Sequence, residues 1–195
     1  GKGKPKCDPA SYRPISLLSR IALLFESVLE RRISAYAEAH GDDVLPASQH
    51  GGRKGRRTAD CSTAFAEAVR FRGRREDQTY AAFLDLSAAF DSMNRDQMLS
   101  AAHGAGLRGR AFLALAAMYD GVTSLVRVGA SESQPFAAKD GLRQGGVISP
   151  LVWAIFMTPL LRALEALPGI RLEVNGEEAV LGCLAFVDDV CIVYE

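Results

Sequence analysis

The sequence predicts a mixed α+β fold from two observations. Helical and strand-like segments interleave without a regular β-α-β rhythm, and the last strand-like segments are joined by short turns. With 195 residues, 48% of them hydrophobic, the chain can bury a core for one globular domain or for two small lobes. No apolar run approaches the roughly 18 residues of a membrane span, so no membrane partner is expected. The N-terminal stretch has no apolar core of a secretion signal.

The first two helices are predicted from apolar residues that recur at helical spacing. In ISLLSRIALLFESVLERRISAYAEAHG, Ser19 can cap the start of a helix and Gly41 can end it. The predicted inward stripe of this helix comprises Ile21, Leu24, Phe25, Val28, Leu29 and Ile33. After a loop rich in Gly and Arg, TADCSTAFAEAVRFR predicts a second helix with Thr58 as its cap. Its predicted inward residues are Cys61, Ala64, Phe65, Ala68 and Val69.

The middle of the chain is predicted to contain a buried strand, helices and a hairpin. TYAAFLD is interpreted as a buried strand that ends at Asp85. NRDQMLSAAHG and RGRAFLALAAMYDG predict helices, and VTSLVRVG with the segment after it predicts a hairpin. A turn at GLRQGG precedes a helix that has Ser149 as N-cap and Pro150 at its first position. Pro159 is expected to kink or end this helix.

The last segments predict two hairpins. Asn175-Gly176 is a typical tight turn between strands. The final stretch, LAFVDDVCIVYE, is predicted to form strand, tight turn and strand, with Asp188 and Asp189 at the bend.

Charge is unevenly distributed although the formal net charge is zero. Residues 53–75 contain eight Arg or Lys against two acids, whereas residues 144–195 contain two Arg against seven acids. Such a chain suits a polyanion bound at its basic end and cations bound at its acidic end. Two solvated faces of different charge are the alternative. The four cysteines lack the paired spacing of a metal site and are interpreted as free thiols in a reducing compartment.

Three aspartates are candidates for catalytic carboxylates. Asp188 and Asp189 stand between apolar segments, where neighbouring carboxylates repel each other and are costly to ionise. A divalent cation removes both costs, and Mg²⁺ prefers hard oxygen ligands. If the strand that ends at Asp85 lies beside this hairpin, Asp85 and Asp188 meet at one sheet edge. Two cations roughly 4 Å apart, bridged by such carboxylates, can promote phosphoryl transfer.

Each of these aspartates also has a structural interpretation. A strand-end or helix-capping aspartate would explain Asp85 by itself, and an ordinary acidic turn would explain Asp188 and Asp189. The joint occurrence of both features favours the metal site.

Five sequence blocks, in order, resemble the reverse transcriptase domain of non-long-terminal-repeat (LINE-type) retrotransposons, close to the group II intron type. YRPISLL with the following LFESVLERRI, and then QHGGRKGRRT, resemble the two fingers blocks. AFLDLSAAFD resembles motif A, GLRQGGVISPLVWAIFM resembles motif B, and AFVDDV resembles motif C. The family usually has YADD in motif C, where this chain has Phe186 and Val187 before the aspartates.

The resemblance implies a right-hand polymerase fold with fingers and an antiparallel palm sheet, and the thumb of the family is expected to be absent from this sequence. Residues 1–80 would be fingers, 81–100 palm with motif A, 101–143 a connection between fingers and palm, and 144–195 palm with motifs B and C. Nothing similar to a thumb follows Glu195 and nothing similar to an endonuclease precedes Gly1. We therefore interpret the sequence as a fragment of a longer polyprotein.

Site residues follow from the resemblance position by position. Asp85, Asp188 and Asp189 would be catalytic and would bind metal, with the carbonyl of Leu86 completing the coordination. The implied nucleotide-binding residues are Arg13, Arg53, Leu86, Phe90, Gln144 and Gly145. A ring at Phe90 would clash with a 2′-hydroxyl and so select deoxyribonucleotides. Core packing is the alternative for Phe90, a solvated surface for each Arg, and a loop without ligand for Gln144 and Gly145.

The implied activity is RNA-directed DNA synthesis in retrotransposition. The implied cofactor is a pair of Mg²⁺ ions, with Mn²⁺ as a substitute. The implied partners are an RNA template, a DNA primer, deoxynucleoside triphosphates and the rest of the polyprotein. The implied location is intracellular, in nucleus and cytoplasm. A group II intron-type maturase and a catalytically inactive RNA-binding remnant are the alternatives.

One block departs from the family pattern. The chain has His50, Gly52, Lys54 and Arg57 where the family often has Phe, Phe, Pro and Ser. The loss of two aromatic side chains affects the expected packing of this loop more than the chemistry.

Overall fold

The chain forms a mixed α+β fold, as the sequence predicted. The computed structural model describes residues 5, 8, 11–12, 14–174 and 176–195, so Arg13, Cys7 and Asn175 lie outside the described residues. The helices are α1 (Arg20–His40), α2 (Thr58–Gly73), α3 (Ala89–Ser92), α4 (Arg95–Gly104), α5 (Gly109–Tyr119) and α6 (Ser149–Glu165). The strands are β1 (Tyr80–Asp85), β2 (Thr123–Ser124), β3 (Arg127–Val128), β4 (Ser131–Glu132), β5 (Phe136–Ala137), β6 (Ile170–Val174), β7 (Glu177–Leu181), β8 (Cys183–Phe186) and β9 (Asp189–Tyr194).

A three-stranded antiparallel sheet with the order β1-β9-β8 organises the molecule. β8 and β9 form the predicted final hairpin, and β1 pairs along the whole of β9. The hairpin predicted at Asn175-Gly176 is also present, as β6 and β7. Short ladders between β2 and β5 and between β3 and β4 confirm the hairpin predicted after α5.

The main core lies around α6, which is apolar on nearly every side. Its buried residues are Ser149, Leu151, Val152, Trp153, Ala154, Ile155, Met157, Thr158 and Leu161. α4 and β8 lie against this helix, and α1 packs on α5. Pro159 does not end α6, which continues to Glu165. Burial on both sides of the proline compensates for the backbone hydrogen bond that a proline cannot donate.

The predicted inward face of α1 is partly wrong. Ser19 caps the helix as expected, because its hydroxyl accepts a hydrogen bond from the Ala22 N–H at 3.1 Å. Leu29 and Ile33 are buried, but the other four residues of the predicted stripe, Ile21, Leu24, Phe25 and Val28, are exposed. The buried face runs instead through Glu26, Leu29, Ile33 and Ala37. Glu26 can be buried because it has partners, which the spacing of apolar residues does not reveal.

Strand β1 exists where predicted, but it is not buried. It is the edge strand of its sheet, and every one of its residues is exposed. An apolar composition therefore predicted the strand correctly and its environment wrongly, because a run this short does not determine which neighbours will cover it.

Two predicted helix caps are displaced by one residue, and one predicted inward residue is exposed. Thr58 and Ser149 are the first residues of α2 and α6, after Arg57 and Ile148 as N-caps. The Arg57 N–H donates to Asp60 Oδ2 at 2.7 Å. In α2, Ala68 is buried and Val69 is exposed. In the part of the chain that the structure describes, no helix is long and apolar enough to span a membrane.

Candidate active site

The candidate carboxylates lie at one end of the three-stranded sheet. Asp85 is the last residue of β1 and stands directly opposite Asp189, the first residue of β9. Asp189 also pairs with Phe186 of β8, which leaves Val187 and Asp188 as the two-residue turn. The side-by-side arrangement on which the sequence argument depended is therefore present. It brings three carboxylates from distant positions to the same edge.

The electrostatics of this edge favour a cation. Like charges directly opposite each other in an antiparallel pair are destabilising. Among the described residues, no basic side chain forms an ion pair with Asp85, Asp188 or Asp189, and none donates a hydrogen bond to them. Hard carboxylate oxygens without a basic partner are the donor set that Mg²⁺ prefers. Over the same described ranges, no three His, Cys, Asp or Glu side chains are gathered into a finished metal site.

Leu86 and Phe90 follow β1 on a tight chain reversal. The Leu86 carbonyl accepts a hydrogen bond from the Ala89 N–H at 3.2 Å, which starts the short helix α3. Ala88 reaches the left-handed region, with φ of +52°. Phe90 is half-buried and stacks on Trp153, with ring centroids 5.5 Å apart and an angle of 15° between planes.

The loop that carries Gln144 and Gly145 is held from several directions. The Gln144 side-chain amide donates to Asp91 Oδ1 at 2.6 Å, and the Gln144 backbone carbonyl accepts from the Ser16 N–H at 2.7 Å. Gly145 has φ of +107°, a conformation that glycine adopts without steric cost. The structure therefore links motif B to the last residue of motif A, Asp91.

A buried ion pair anchors the same loop to α1. Glu26 contacts Arg143 at 3.3 Å and accepts a hydrogen bond from the Val147 N–H at 2.8 Å. Arg143 also donates to the Met118 carbonyl at 2.6 Å and lies over the Tyr119 ring. Burial raises the pKa of Tyr119 above its usual range.

Arg53, an expected nucleotide-binding residue, makes several contacts within the protein. Its guanidinium pairs with Glu38 at 2.6 Å and donates to the carbonyls of Leu45, Pro46 and Gln49. These contacts fasten the fingers-block loop to α1. The hydrogen bond from Arg53 lowers the pKa of Glu38, which keeps this carboxylate charged. Arg13 lies outside the described residues.

The sequence analysis did not identify two residues, Gln49 and Trp153, that contact the turn beside the candidate carboxylates. Gln49 is fully buried, and its side chain hydrogen bonds to both backbone groups of Val187. Trp153 donates its indole N–H to the Val187 carbonyl at 3.0 Å. A β-branched residue at the first position of a two-residue hairpin turn, where glycine is usual, was the available signal.

A cavity of about 390 Å³ opens beside Asp85 and Asp189, between α2 and the sheet. Phe65 and Phe83 meet edge to face in its wall, with ring centroids 5.6 Å apart. Cys61 and Cys191 also line it, and burial raises the pKa of both thiols. These cysteines are therefore protonated near pH 7 and are poor nucleophiles.

A family model described as "Reverse transcriptase (RNA-dependent DNA polymerase)" matches residues 3–195. Among curated proteins, the chain is similar to the probable RNA-directed DNA polymerases from the transposons X-element and BS of Drosophila melanogaster. The identities are 29% and 28%, over 98% of this chain and 20% of each relative. It is also 29% identical to the Pol polyprotein of a type-1 R2 retrotransposable element from Popillia japonica, over 95% of this chain and 25% of that protein. The chain thus spans a fifth to a quarter of these relatives.

Solved structures of telomerase have a similar fold. The apo telomerase of Candida tropicalis, truncated from its C-terminal domain, aligns with a TM-score of 0.51 and 13% identity, over 89% of this chain and 34% of that one. The telomerase of Candida albicans, in complex with a telomeric RNA fragment, aligns with a TM-score of 0.56 and 9% identity, over 87% of this chain and 30% of that one. At these identities the likeness concerns the fold alone.

Proposed function

The chain belongs to the reverse transcriptase (RNA-dependent DNA polymerase) family, and from this premise we propose that it is the polymerising part of a LINE-type retrotransposon protein. The proposed reaction joins a deoxynucleoside triphosphate to a primer 3′-hydroxyl under the direction of an RNA template. The observation that carries the proposal is the opposition of Asp85 and Asp189 at a sheet edge without a basic partner among the described residues.

We propose that Asp85, Asp188 and Asp189 hold divalent cations, with the Leu86 carbonyl as a further oxygen ligand. When bound, such ions activate a hydroxyl and stabilise a leaving oxygen in phosphoryl transfer. The protein's own contribution is to bring the carboxylates to one end of the sheet. Register does this for Asp85 and Asp189, because the β1–β9 pairing fixes them opposite each other. The hairpin turn does it for Asp188.

Phe90 is proposed to select the sugar. The ring is half-buried, and its stacking on Trp153 restricts its movement. A fixed ring excludes a 2′-hydroxyl better than a mobile one, which favours deoxyribonucleotides. Gln144 and Gly145 are proposed to face the nucleotide or the template, since glycine permits close approach of the backbone.

The proposed partners are an RNA template, a DNA primer and the remainder of a polyprotein. Residues 1–80 and 101–143 are proposed to act as fingers and their connection, and residues 81–100 and 144–195 as palm. If the primer is nicked chromosomal DNA, the place of action is the nucleus, after synthesis in the cytoplasm.

An Asp85→Ala variant tests this proposal in the natural protein that carries the chain. Primer extension on an RNA template should fall by about 1,000-fold or more, because losing a metal ligand removes several kcal/mol of transition-state stabilisation. Asp120→Ala is the matched control, since Asp120 is exposed at the end of α5 and should leave extension unchanged.

Two results would contradict the proposed function. The metal role is wrong if Asp85→Ala extends primers as fast as Asp120→Ala. The assignment to DNA synthesis is wrong if the unaltered protein prefers ribonucleoside triphosphates. Salt-sensitive RNA binding with no detectable extension would favour an RNA-binding remnant instead.

A further inference from the structure

We propose that Gln49 and Trp153 are positioning residues for the carboxylate turn, which is the two-residue turn of Val187 and Asp188. They hold the Val187 backbone in a left-handed conformation and so fix the neighbouring Asp188. This inference rests on the proposed function, because it assigns the two residues a role in the same reaction. The inference adds to the proposed function that the reaction requires the contacts of Gln49 and Trp153 with Val187 as well as the three carboxylates.

Val187 occupies a backbone conformation that valine disfavours. Its φ is +61°, whereas branched side chains strongly prefer negative values. In a two-residue hairpin turn with positive φ at the first position, that position is usually glycine. Strained residues of this kind persist only where surrounding contacts determine them, and they cluster at functional sites. Val187 directly precedes Asp188, so the backbone conformation of Val187 sets the position and direction of the Asp188 backbone.

Gln49 hydrogen bonds to both backbone polar groups of Val187. Its Oε1 accepts the Val187 N–H at 3.0 Å, and its Nε2 donates to the Val187 carbonyl at 3.3 Å. The same Oε1 accepts the Gly51 N–H at 2.8 Å. The side chain has no exposed surface, so water does not compete for these bonds. A buried amide used in this way specifies one orientation of the turn.

Gly51 shows how closely the loop approaches the turn. A Cβ added at residue 51 would lie 2.2 Å from the Val187 nitrogen. The backbone on either side of Gln49 is tied down as well, because the Ala185 N–H donates to the Ser48 carbonyl and the His50 N–H donates to the Ala185 carbonyl, each at 2.8 Å. The loop therefore presents Gln49 from a fixed position next to β8.

Trp153, on α6, contacts both the carboxylate turn and Phe90. Its indole N–H donates to the Val187 carbonyl at 3.0 Å, and its ring stacks on Phe90. Trp153 is almost fully buried, so both contacts are made within the main core. The proposed sugar-selecting ring and the carboxylate turn thus rest on a single side chain.

A simpler role for Gln49 would be to complete the fold of its own loop. That role predicts a loss of stability alone. The positioning role predicts a change in kcat and in metal requirement, and it predicts that glycine at residue 187 makes Gln49 dispensable.

The kinetic test uses the natural protein that carries this chain and compares Gln49→Met with Thr158→Val. The first variant removes both bonds to Val187, and the second removes a buried hydroxyl of α6 that donates to the Val44 carbonyl at 2.7 Å. Gln49→Met should lower kcat by about 10- to 100-fold and raise the Mg²⁺ concentration for half-maximal extension, as loss of an outer-shell partner does. The KM for deoxynucleotide should change less than about threefold, because Gln49 is fully buried and cannot reach a substrate. Thr158→Val should retain the unaltered kcat and Mg²⁺ requirement.

Adding Val187→Gly to Gln49→Met is the rescue. Glycine adopts positive φ without help, so the double variant should recover kcat to within about threefold of the unaltered protein. The inference is overturned if Gln49→Met behaves like Thr158→Val, or if Val187→Gly fails to restore activity.

Tryptophan fluorescence of the 195-residue chain tests the contact without relying on catalysis, because Trp153 is its one tryptophan. Gln49→Met should shift the emission and Thr158→Val should not. Unchanged emission in Gln49→Met would overturn the inference even if the protein proved inactive. Asp85→Ala should abolish extension and leave the emission unchanged, so a failure of the proposed function is distinguishable from a failure of this inference.

Discussion

His50 is a titratable side chain in the loop that contacts the carboxylate hairpin. The ring is half-buried, and its Nδ1 has no hydrogen-bond partner among the described residues. Burial, with a further contribution from the nearby charge of Arg56, lowers the pKa of His50 below its usual 6.5. In the folded chain the ring therefore stays neutral over a pH range in which the unfolded chain binds a proton.

Acid should therefore destabilise the fold through His50. Below about pH 6.5 the unfolded state binds more protons than the folded state, so this contribution to stability is present above that pH and is lost as the pH falls. The free energy of unfolding of the unaltered chain should therefore fall relative to that of His50→Phe as the pH is lowered from about 7.5 to about 5.5. Denaturant unfolding of both chains across this range measures the difference, and a difference independent of pH would contradict the prediction.

Val187 and Arg53 show that residue type does not determine which contacts a residue makes. Val187 is an ordinary strand residue in composition but a strained turn residue in the structure. Arg53 is a phosphate-binding type of side chain, yet its donors are used within the protein. In both cases the deciding partners, Gln49 for Val187 and Glu38 for Arg53, lie on other elements.

The packing of α1 against the rest of the fold depends on one buried charged residue, Glu26. Glu26 lies on the face that α1 turns to the core, and its side chain is 2% exposed. It accepts from the Val147 backbone and pairs with Arg143, so it joins the first helix to the motif B loop. A buried carboxylate of this kind is stable only while both partners remain.

Glu26→Ala should lower the free energy of unfolding by about 3 kcal/mol, since it leaves Arg143 and the Val147 N–H without their acceptor. Glu67→Ala removes a carboxylate from an exposed ion pair with Arg70 and should cost less than about 0.5 kcal/mol. Denaturant unfolding of the two variants of the 195-residue chain measures the difference. Equal losses would show that the Glu26 pair does not anchor α1.

On the scale of the whole molecule, much apolar surface is exposed. Ile21, Leu24, Phe25 and Val28 form an exposed face of α1. The edge strand β1 adds Tyr80, Phe83 and Leu84. Apolar patches of this extent favour association of molecules in solution.

Leu24→Lys should therefore reduce concentration-dependent association of the 195-residue chain without unfolding it. Leu24 is 67% exposed, so a charge there costs little, whereas Leu29 on the same helix is 5% exposed. Leu29→Lys should destabilise the fold by several kcal/mol, about 3 or more, because it buries an unpaired charge. Light scattering and thermal unfolding of both variants separate the two effects. Equal destabilisation by the two substitutions would show that the face with Leu24 is buried in solution.

The sequence by itself determined the elements, their order and the family. Helical spacing, turn residues and the five motif blocks are local properties, so they predicted α1, α2, β1, the last hairpin and the three aspartates. The pairing of β1 with the hairpin was only a condition of the metal-site argument, and the structure supplied it.

Only the tertiary structure decided which faces are buried and which polar groups are paired. The side of α1 that faces the core depends on the ion pair between Glu26 and Arg143, which lie more than a hundred positions apart. The exposure of β1 follows from its position as an edge strand. The turn at Val187 depends likewise on Gln49 and Trp153, which are remote in sequence. Burial and pairing are properties of neighbours in space, and the spacing of residues along one segment does not specify those neighbours.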